Sequence, residues 1–145
     1  MALENLMSTN ILSVDLDDEL AKVQEIFNQH NIHHVLVTDR GVLVGTIILA
    51  DLNKHLSPNI GTRRETHADT SLLRQKAHQI MSRELVTAPP TMGIYEAVLK
   101  FDDHKLTCLP IVNEKNKPVG IITWRDILAI LAQQYRKKIK KNKKK

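Results

Sequence analysis

At 145 residues and 42% apolar content, the chain suffices for one ordinary domain or for two small units that share a core. Its longest apolar run, around Val42 to Ala50, is far short of the roughly 20 residues of a membrane-spanning helix, and a single cysteine, Cys108, excludes an internal disulfide framework. The net charge of +5 is local: residues 136–145 hold eight of the 21 basic residues, leaving 13 against 16 acids, so the body is about −3 and is not a surface built throughout for nucleic acid.

Met1 to Leu6 lacks the basic segment and long apolar stretch of a secretion signal, and one cysteine suits a reducing compartment, so a cytoplasmic protein is expected. Leu6-Met7-Ser8 leads into a short strand-like run, Ile11 to Val14. Asp15, Asp17, Asp18 and Glu19 then mark a helix start, since negative charge is favoured there. Leu20, Val23 and Phe27 form one apolar helical face ending near His30-Asn31. Val35-Leu36-Val37 reads as a strand, Asp39-Arg40-Gly41 as a tight turn and Val42 to Ile48 as the returning strand. Asp51 to Leu56 begins another helix, which Ser57-Pro58 stops. The polar stretch from 57 to about 70 reads as a linker.

The same order then returns. Ile80-Met81-Ser82 matches Leu6-Met7-Ser8 at a spacing of 74, and Ile94, Ala97 and Phe101 match Leu20, Val23 and Phe27. Leu85-Val86-Thr87 is the expected short strand, and Pro89-Pro90-Thr91 delivers the helix start. Leu109 to Val112, a turn over Asn113 to Lys117, and Val119 to Ile122 repeat the hairpin at a spacing of 75. Two copies of so long a period indicate internal duplication rather than a solenoid. The expected boundaries are repeat 1 over 1–60, a linker over 61–76, repeat 2 over 77–135 and a basic tail over 136–145.

The chemistry concentrates at Gly120-Ile-Ile-Thr123-Trp124-Arg125-Asp126, where a buried strand runs into a helix. Thr123 can cap the first N–H groups, and a helix start with unpaired donors is a ready seat for phosphate. Asp126, one turn in, can accept hydrogen bonds from a vicinal diol such as a ribose, and Arg125 could reach a phosphate. Thr-x-x-Asp is equally an ordinary capping box. Gly120 in a buried strand permits close backbone approach.

These residues resemble the cystathionine-β-synthase (CBS) domain family, in the tandem arrangement called a Bateman module. The second copy carries the pattern most fully, in Leu109-Pro110-Ile111-Val112, Val119-Gly120-Ile121-Ile122-Thr123 and Asp126-Ile127-Leu128. The first departs from it: Val35 stands where proline is usual and Ile48 where Thr or Ser is usual, with Gly45 and Asp51 retained. The resemblance covers roughly residues 3–132. It implies an α/β (α+β) fold of two β-α-β-β-α repeats packed about a pseudo-two-fold axis, adenine nucleotides bound in clefts between the halves, and homodimers. On the same basis Thr123 and Asp126 would contact phosphate and ribose. The base would lie against Ser82 to Leu85 and Leu106 to Pro110, with Ser82, Leu85, Leu106, Thr107, Cys108 and Pro110 as its neighbours. Asp51 without a hydroxyl at 48 implies a weaker first site.

Elsewhere, His30, His33 and His34 lack a Cys or acid at zinc spacing, so no metal is expected. Cys108 has no evident base, and none of the common phosphate-loop, dinucleotide, nucleophile-elbow or zinc-protease motifs occurs. The expectation is a non-enzymatic regulatory module, requiring no cofactor, that binds AMP, ADP, ATP or S-adenosylmethionine and signals occupancy to its dimer mate or an effector protein. Two alternatives stand: a ligand-free assembly module, and tethering to nucleic acid or an anionic membrane through the basic tail. A frayed, solvated tail is the simplest expectation for 136–145.

Overall fold

The computed structural model describes residues 1–56 and 58–143; Ser57, expected to help stop the second helix, and Lys144 and Lys145 of the basic tail lie outside the described residues. The chain forms two compact units, one of residues 11–85 with 115–117, the other of residues 1–10, 86–114 and 118–145.

In the unit built on residues 11–85, β1 (Ser13–Asp15) runs parallel to β2 (His34–Asp39), and β2 pairs antiparallel with β3 (Val42–Ile48). Val35, Leu36 and Val37 are buried in succession, as a central strand covered on both faces requires, whereas β3 alternates, burying Leu43, Gly45 and Ile47. The hairpin turns on Arg40 and Gly41, both at positive φ, the geometry of a two-residue type I′ loop. Helix α1 (Leu20–Gln29) lays Leu20, Val23 and Phe27 into the core.

The acids expected to open α1 instead build the turn before it. Asp18 Oδ2 accepts from the Asp15 N–H and the Lys22 ammonium, while Asp15 Oδ2 accepts from the Asp17 N–H. The first N–H of the helix, on Leu20, goes to the Gln75 carbonyl. Helix α2 spans Leu49–His55, beginning two residues before Asp51. The segment expected as a linker carries α3 (His67–Ser71), opened by a Thr66/Asp69 capping box, and a 3-10 turn over Leu72–Arg74. Leu72 and Leu73 pack on the core beside α4 (Ala77–Ile80).

In the other unit, α5 (Ile94–His104) buries Ile94, Ala97 and Phe101 against the hairpin of β4 (Cys108–Val112) and β5 (Pro118–Thr123). The strand expected at Leu85–Thr87 does not form. Pairing there is a single parallel bridge, Ala88 to Ile111, because Pro89 and Pro90 follow at once and have no N–H to extend a ladder. Helix α6 runs from Trp124 to Lys143 without interruption, so residues 136–143 are helix and not a frayed tail. No helix among the described residues is long and apolar enough to cross a membrane.

The Met-Ser segments cross over between the repeats. Ser82 exchanges two backbone hydrogen bonds with Thr46 of β3 (2.8 and 3.1 Å), and Ser8 exchanges two with Ile121 of β5 (both 3.0 Å). Leu3, fully buried, likewise belongs to the unit of α5 and α6, its N–H bonded to the Met92 carbonyl. Each segment is seated on a glycine. A Cβ on Gly120 would lie 2.2 Å from Met7 Sδ, and one on Gly45 would lie 2.5 Å from Met81 Sδ and 2.9 Å from the Ser82 carbonyl oxygen. The close approach anticipated at Gly120 is thus made by the chain's own methionine.

Candidate functional site

The site begins with the register of the β4–β5 hairpin, which sets Cys108 opposite Thr123 and Pro110 opposite Ile121. At the end of β5 the chain enters α6 through a closed capping box. Asp126 Oδ2 accepts from the Thr123 N–H at 2.8 Å, and Thr123 Oγ1 accepts from the Asp126 N–H at 3.3 Å. The Trp124 N–H donates to the Thr107 carbonyl at 3.2 Å. Of the first three helical donors, only the Arg125 N–H lacks an acceptor among the described residues, and Asp126 Oδ1 carries no hydrogen bond there. Thr123 and Asp126 are half-buried. A free donor at the positive end of a 20-residue helix suits an anion, and a free carboxylate oxygen beside it suits a hydroxyl.

The Arg125 guanidinium lies 5.6 Å from the centroid of the exposed Trp124 ring, in cation–π contact. Leu106 is half-buried against the core, and its N–H bonds back to the Phe101 carbonyl. Thr107 is exposed, and Pro110 is buried with its carbonyl accepting from the Ala88 N–H. Burial pushes the Cys108 thiol up to about 12, so it stays protonated and makes a poor nucleophile.

Asp51, Ser82 and Leu85 fall in the other unit. The backbone frame repeats there, for the Leu49 N–H donates to the His33 carbonyl at 2.9 Å as Trp124 does to Thr107. The cap does not repeat: Ile48 has no side-chain acceptor, and Asp51 is exposed. Burial, and then the neighbouring His33, hold the His34 imidazole below its ordinary value. Among the described residues no three His, Cys, Asp or Glu side chains gather where a metal ion could be held.

Within one unit the structure therefore brings together Thr123, Arg125, Asp126, Leu106, Thr107, Cys108 and Pro110, but not Ser82 or Leu85. Met7 and Ser8 hold the equivalent place beside β5, and reading the sequence locally missed them. The signal was the 74-residue match between the two Met-Ser segments, which marks both as equivalent without saying which hairpin each one joins.

Comparison with known proteins bears on the family and the fold. The chain is 32% identical over 110 residues to homoserine O-acetyltransferase of Methanococcoides burtonii, a match covering 76% of this chain and 19% of that protein. The next curated relatives are covered to 23% and 22% of their length, so the chain spans about a fifth of these larger proteins. Among solved structures, the CBS domain pair of protein MJ0100, in complex with 5′-methylthioadenosine and S-adenosyl-L-methionine, superposes with a TM-score of 0.76 at 22% identity, covering 92% of this chain and 98% of that one. The cytosolic domain of the Mg2+ channel MgtE, in complex with ATP, gives a TM-score of 0.68 at 23% identity, covering 86% and 46%. At these identities the likenesses bear on the fold. The CBS domain model matches twice, over residues 3–58 and 77–133, and with the duplicated hairpins and helix starts described above this chain belongs to the CBS domain family as a tandem pair.

Proposed function

We propose that the chain is a non-catalytic regulatory module that binds an adenosine-containing ligand at the β5–α6 junction. One observation carries this reading: after the cap has closed, the Arg125 N–H and Asp126 Oδ1 have no partner among the described residues at the positive end of α6. Phosphate would take the first and a ribose hydroxyl the second, while exposed Thr107 and half-buried Cys108, where β4 begins, offer surface to a base. Adenosine compounds held by the structural relatives, S-adenosyl-L-methionine and 5′-methylthioadenosine in one and ATP in the other, support this ligand class. The incomplete cap at Ile48 and Asp51 makes any first site the weaker.

Occupancy would act by population shift, favouring whichever arrangement of a cytoplasmic homodimer binds the ligand more tightly, with an effector protein reading the change. The acetyltransferase activity of the larger relative is not carried over, since the chain covers 19% of it.

Thermal shift with AMP, ADP, ATP, S-adenosylmethionine and NAD tests the reading on wild type, Asp126→Ala and Asp126→Asn. A ligand present at 100 times its Kd stabilises by about 2.7 kcal/mol. For a chain of this size that raises Tm by roughly 5–10 °C. Asp126→Ala is expected to lose the shift, and Asp126→Asn, which can still accept from the Thr123 N–H, to lose most of it. No shift in wild type with any compound, or a full shift in Asp126→Asn, refutes the proposal. The closed cap itself favours the second reading, a ligand-free assembly module, which predicts a stable dimer by sedimentation and no response to the panel.

A further inference from the structure

Charge is unevenly spread along the chain. After Asp126 no acid occurs, and residues 136–145 carry eight of the 21 basic residues, while the remainder is net negative. Every residue from Gln133 to Lys143 is exposed, so about 16 Å of α6 stands clear of the core of its unit. Arg136, Lys137, Lys138, Lys140, Lys141 and Lys143 lie on this length, and none is in an ion pair among the described residues. At about 100° per residue they spread over roughly 220° of the helix circumference. The exposed Leu128, Leu131, Tyr135 and Ile139 fill a separate sector of about 80°, so whatever covers those apolar residues leaves the cations open. Arg136 lies one turn from Lys140, and Lys137 one turn from Lys141, like-charge pairs that work against the helix until an anion lies along it.

We propose that this distal half of α6 seats in the major groove of duplex DNA, independently of the ligand site at the β5–α6 junction, its cations meeting the phosphates that line both walls. A helix with its side chains is about 10–12 Å across, and the B-form major groove is about 12 Å wide. Cations spread over about 220° reach two walls at once, whereas a flat bilayer meets only those on one side. Residues 136–143 also offer a bilayer Ile139 alone as apolar surface. The major groove of duplex RNA is too deep and narrow for the same seat. Because the contacts run to phosphate, binding is indifferent to base sequence.

The test is fluorescence anisotropy of the full chain on a labelled DNA duplex of arbitrary sequence, about 20 base pairs long, across roughly 50–200 mM salt. Six phosphate contacts predict that log K falls against log salt with a slope of about −5, a loss of about a thousandfold over that range. Lys137→Gln/Lys138→Gln/Lys140→Gln/Lys141→Gln alters exposed positions only and keeps helix propensity, so it should bring the slope to about −2 with the thermal melt preserved. Ile139→Pro keeps every charge but breaks the helix, and is expected to weaken binding about tenfold or more, while Ile139→Gln leaves it unchanged. A wild-type slope shallower than about −2, equal binding to an RNA duplex, or full binding by Ile139→Pro overturns the proposal. So does flotation with phosphatidylserine vesicles in the absence of DNA binding, which assigns the cations to lipid headgroups.

Discussion

Alanine at Gly45 and at Gly120 should have unequal consequences, and the inequality can be worked from the two seats. In an ordinary strand, replacing glycine by alanine reduces the freedom of the unfolded chain and stabilises by about 0.4–1 kcal/mol. Here the added methyl meets occupied space, and overpacking costs about 1–3 kcal/mol, so both variants are expected to be destabilised. At Gly120 the new Cβ would sit 2.2 Å from Met7 Sδ, 2.7 Å from its Cγ and 3.1 Å from its Cβ. Those atoms belong to one half-buried side chain that can swing away. At Gly45 it would meet Met81 Sδ at 2.5 Å, Cγ at 2.8 Å and also the Ser82 carbonyl oxygen at 2.9 Å. That oxygen accepts from the Thr46 N–H, so relief requires backbone movement and loss of the bridge.

Urea unfolding of the two double-mutant cycles separates the cases. Met7→Ala removes the two shortest contacts at Gly120, so it should cost about 1–2 kcal/mol less in the Gly120→Ala background than in wild type. Met81→Ala leaves the Ser82 oxygen in place, so Gly45→Ala should stay destabilised by about 1 kcal/mol or more even beside it. A neutral Gly45→Ala, or its full recovery by Met81→Ala, would refute the assignment of these glycines as seats for the crossing Met-Ser segments.

Lys105 closes α5 in the left-handed region at φ 53°, with the Leu106 N–H bonded to the Phe101 carbonyl as in a Schellman stop. Its exposed pair with Asp102 at 3.6 Å contributes little. Lys105→Gly is therefore expected to stabilise by about 1 kcal/mol and raise Tm by a few degrees in a thermal melt; an unchanged or lower Tm counts against left-handed strain there. For Asp18, burial opposes the charge, but the Asp15 N–H and the Lys22 and Lys76 ammoniums outweigh it and hold the carboxyl below its ordinary 3.8. A lowered folded value means stability present above 3.8 and lost as pH falls through that lower value. Asp18→Asn should thus have a lower urea midpoint than wild type near neutrality, with the gap narrowing as pH falls below 3.8. A gap that widens in acid contradicts the sign.

What the sequence disclosed was what neighbours in the chain decide. Leu20, Val23 and Phe27 at helical spacing, and their counterparts Ile94, Ala97 and Phe101, marked the buried faces of α1 and α5. Asp39-Arg40-Gly41 marked a tight turn, and Thr123-x-x-Asp126 marked a capped helix start whose two hydrogen bonds the structure forms. Non-local choices were not legible in the same way. Met7 and Met81 sit in matching contexts, and only folding in three dimensions decides that Met7 covers Gly120 while Met81 covers Gly45. The prolines after Ala88 curtailed a strand that the apolar run had suggested. Residues 136–143 read as a tail by charge alone, although Lys and Arg propagate helices well and suit a helix C-terminus.

The crossing of the Met-Ser segments bears on how the polypeptide acquires its shape during synthesis. Leu3 and Met7 leave the ribosome early, yet Met92, Gly120 and Ile121 emerge only after the whole 11–85 unit, so these first residues wait unfolded longest and close their ladder last. The 11–85 unit, by contrast, holds its own Met81-Ser82 and can complete its sheet while translation continues. A cut between residues 58 and 66 would orphan a segment on both sides, giving two fragments whose glycine seats stand empty until they find each other.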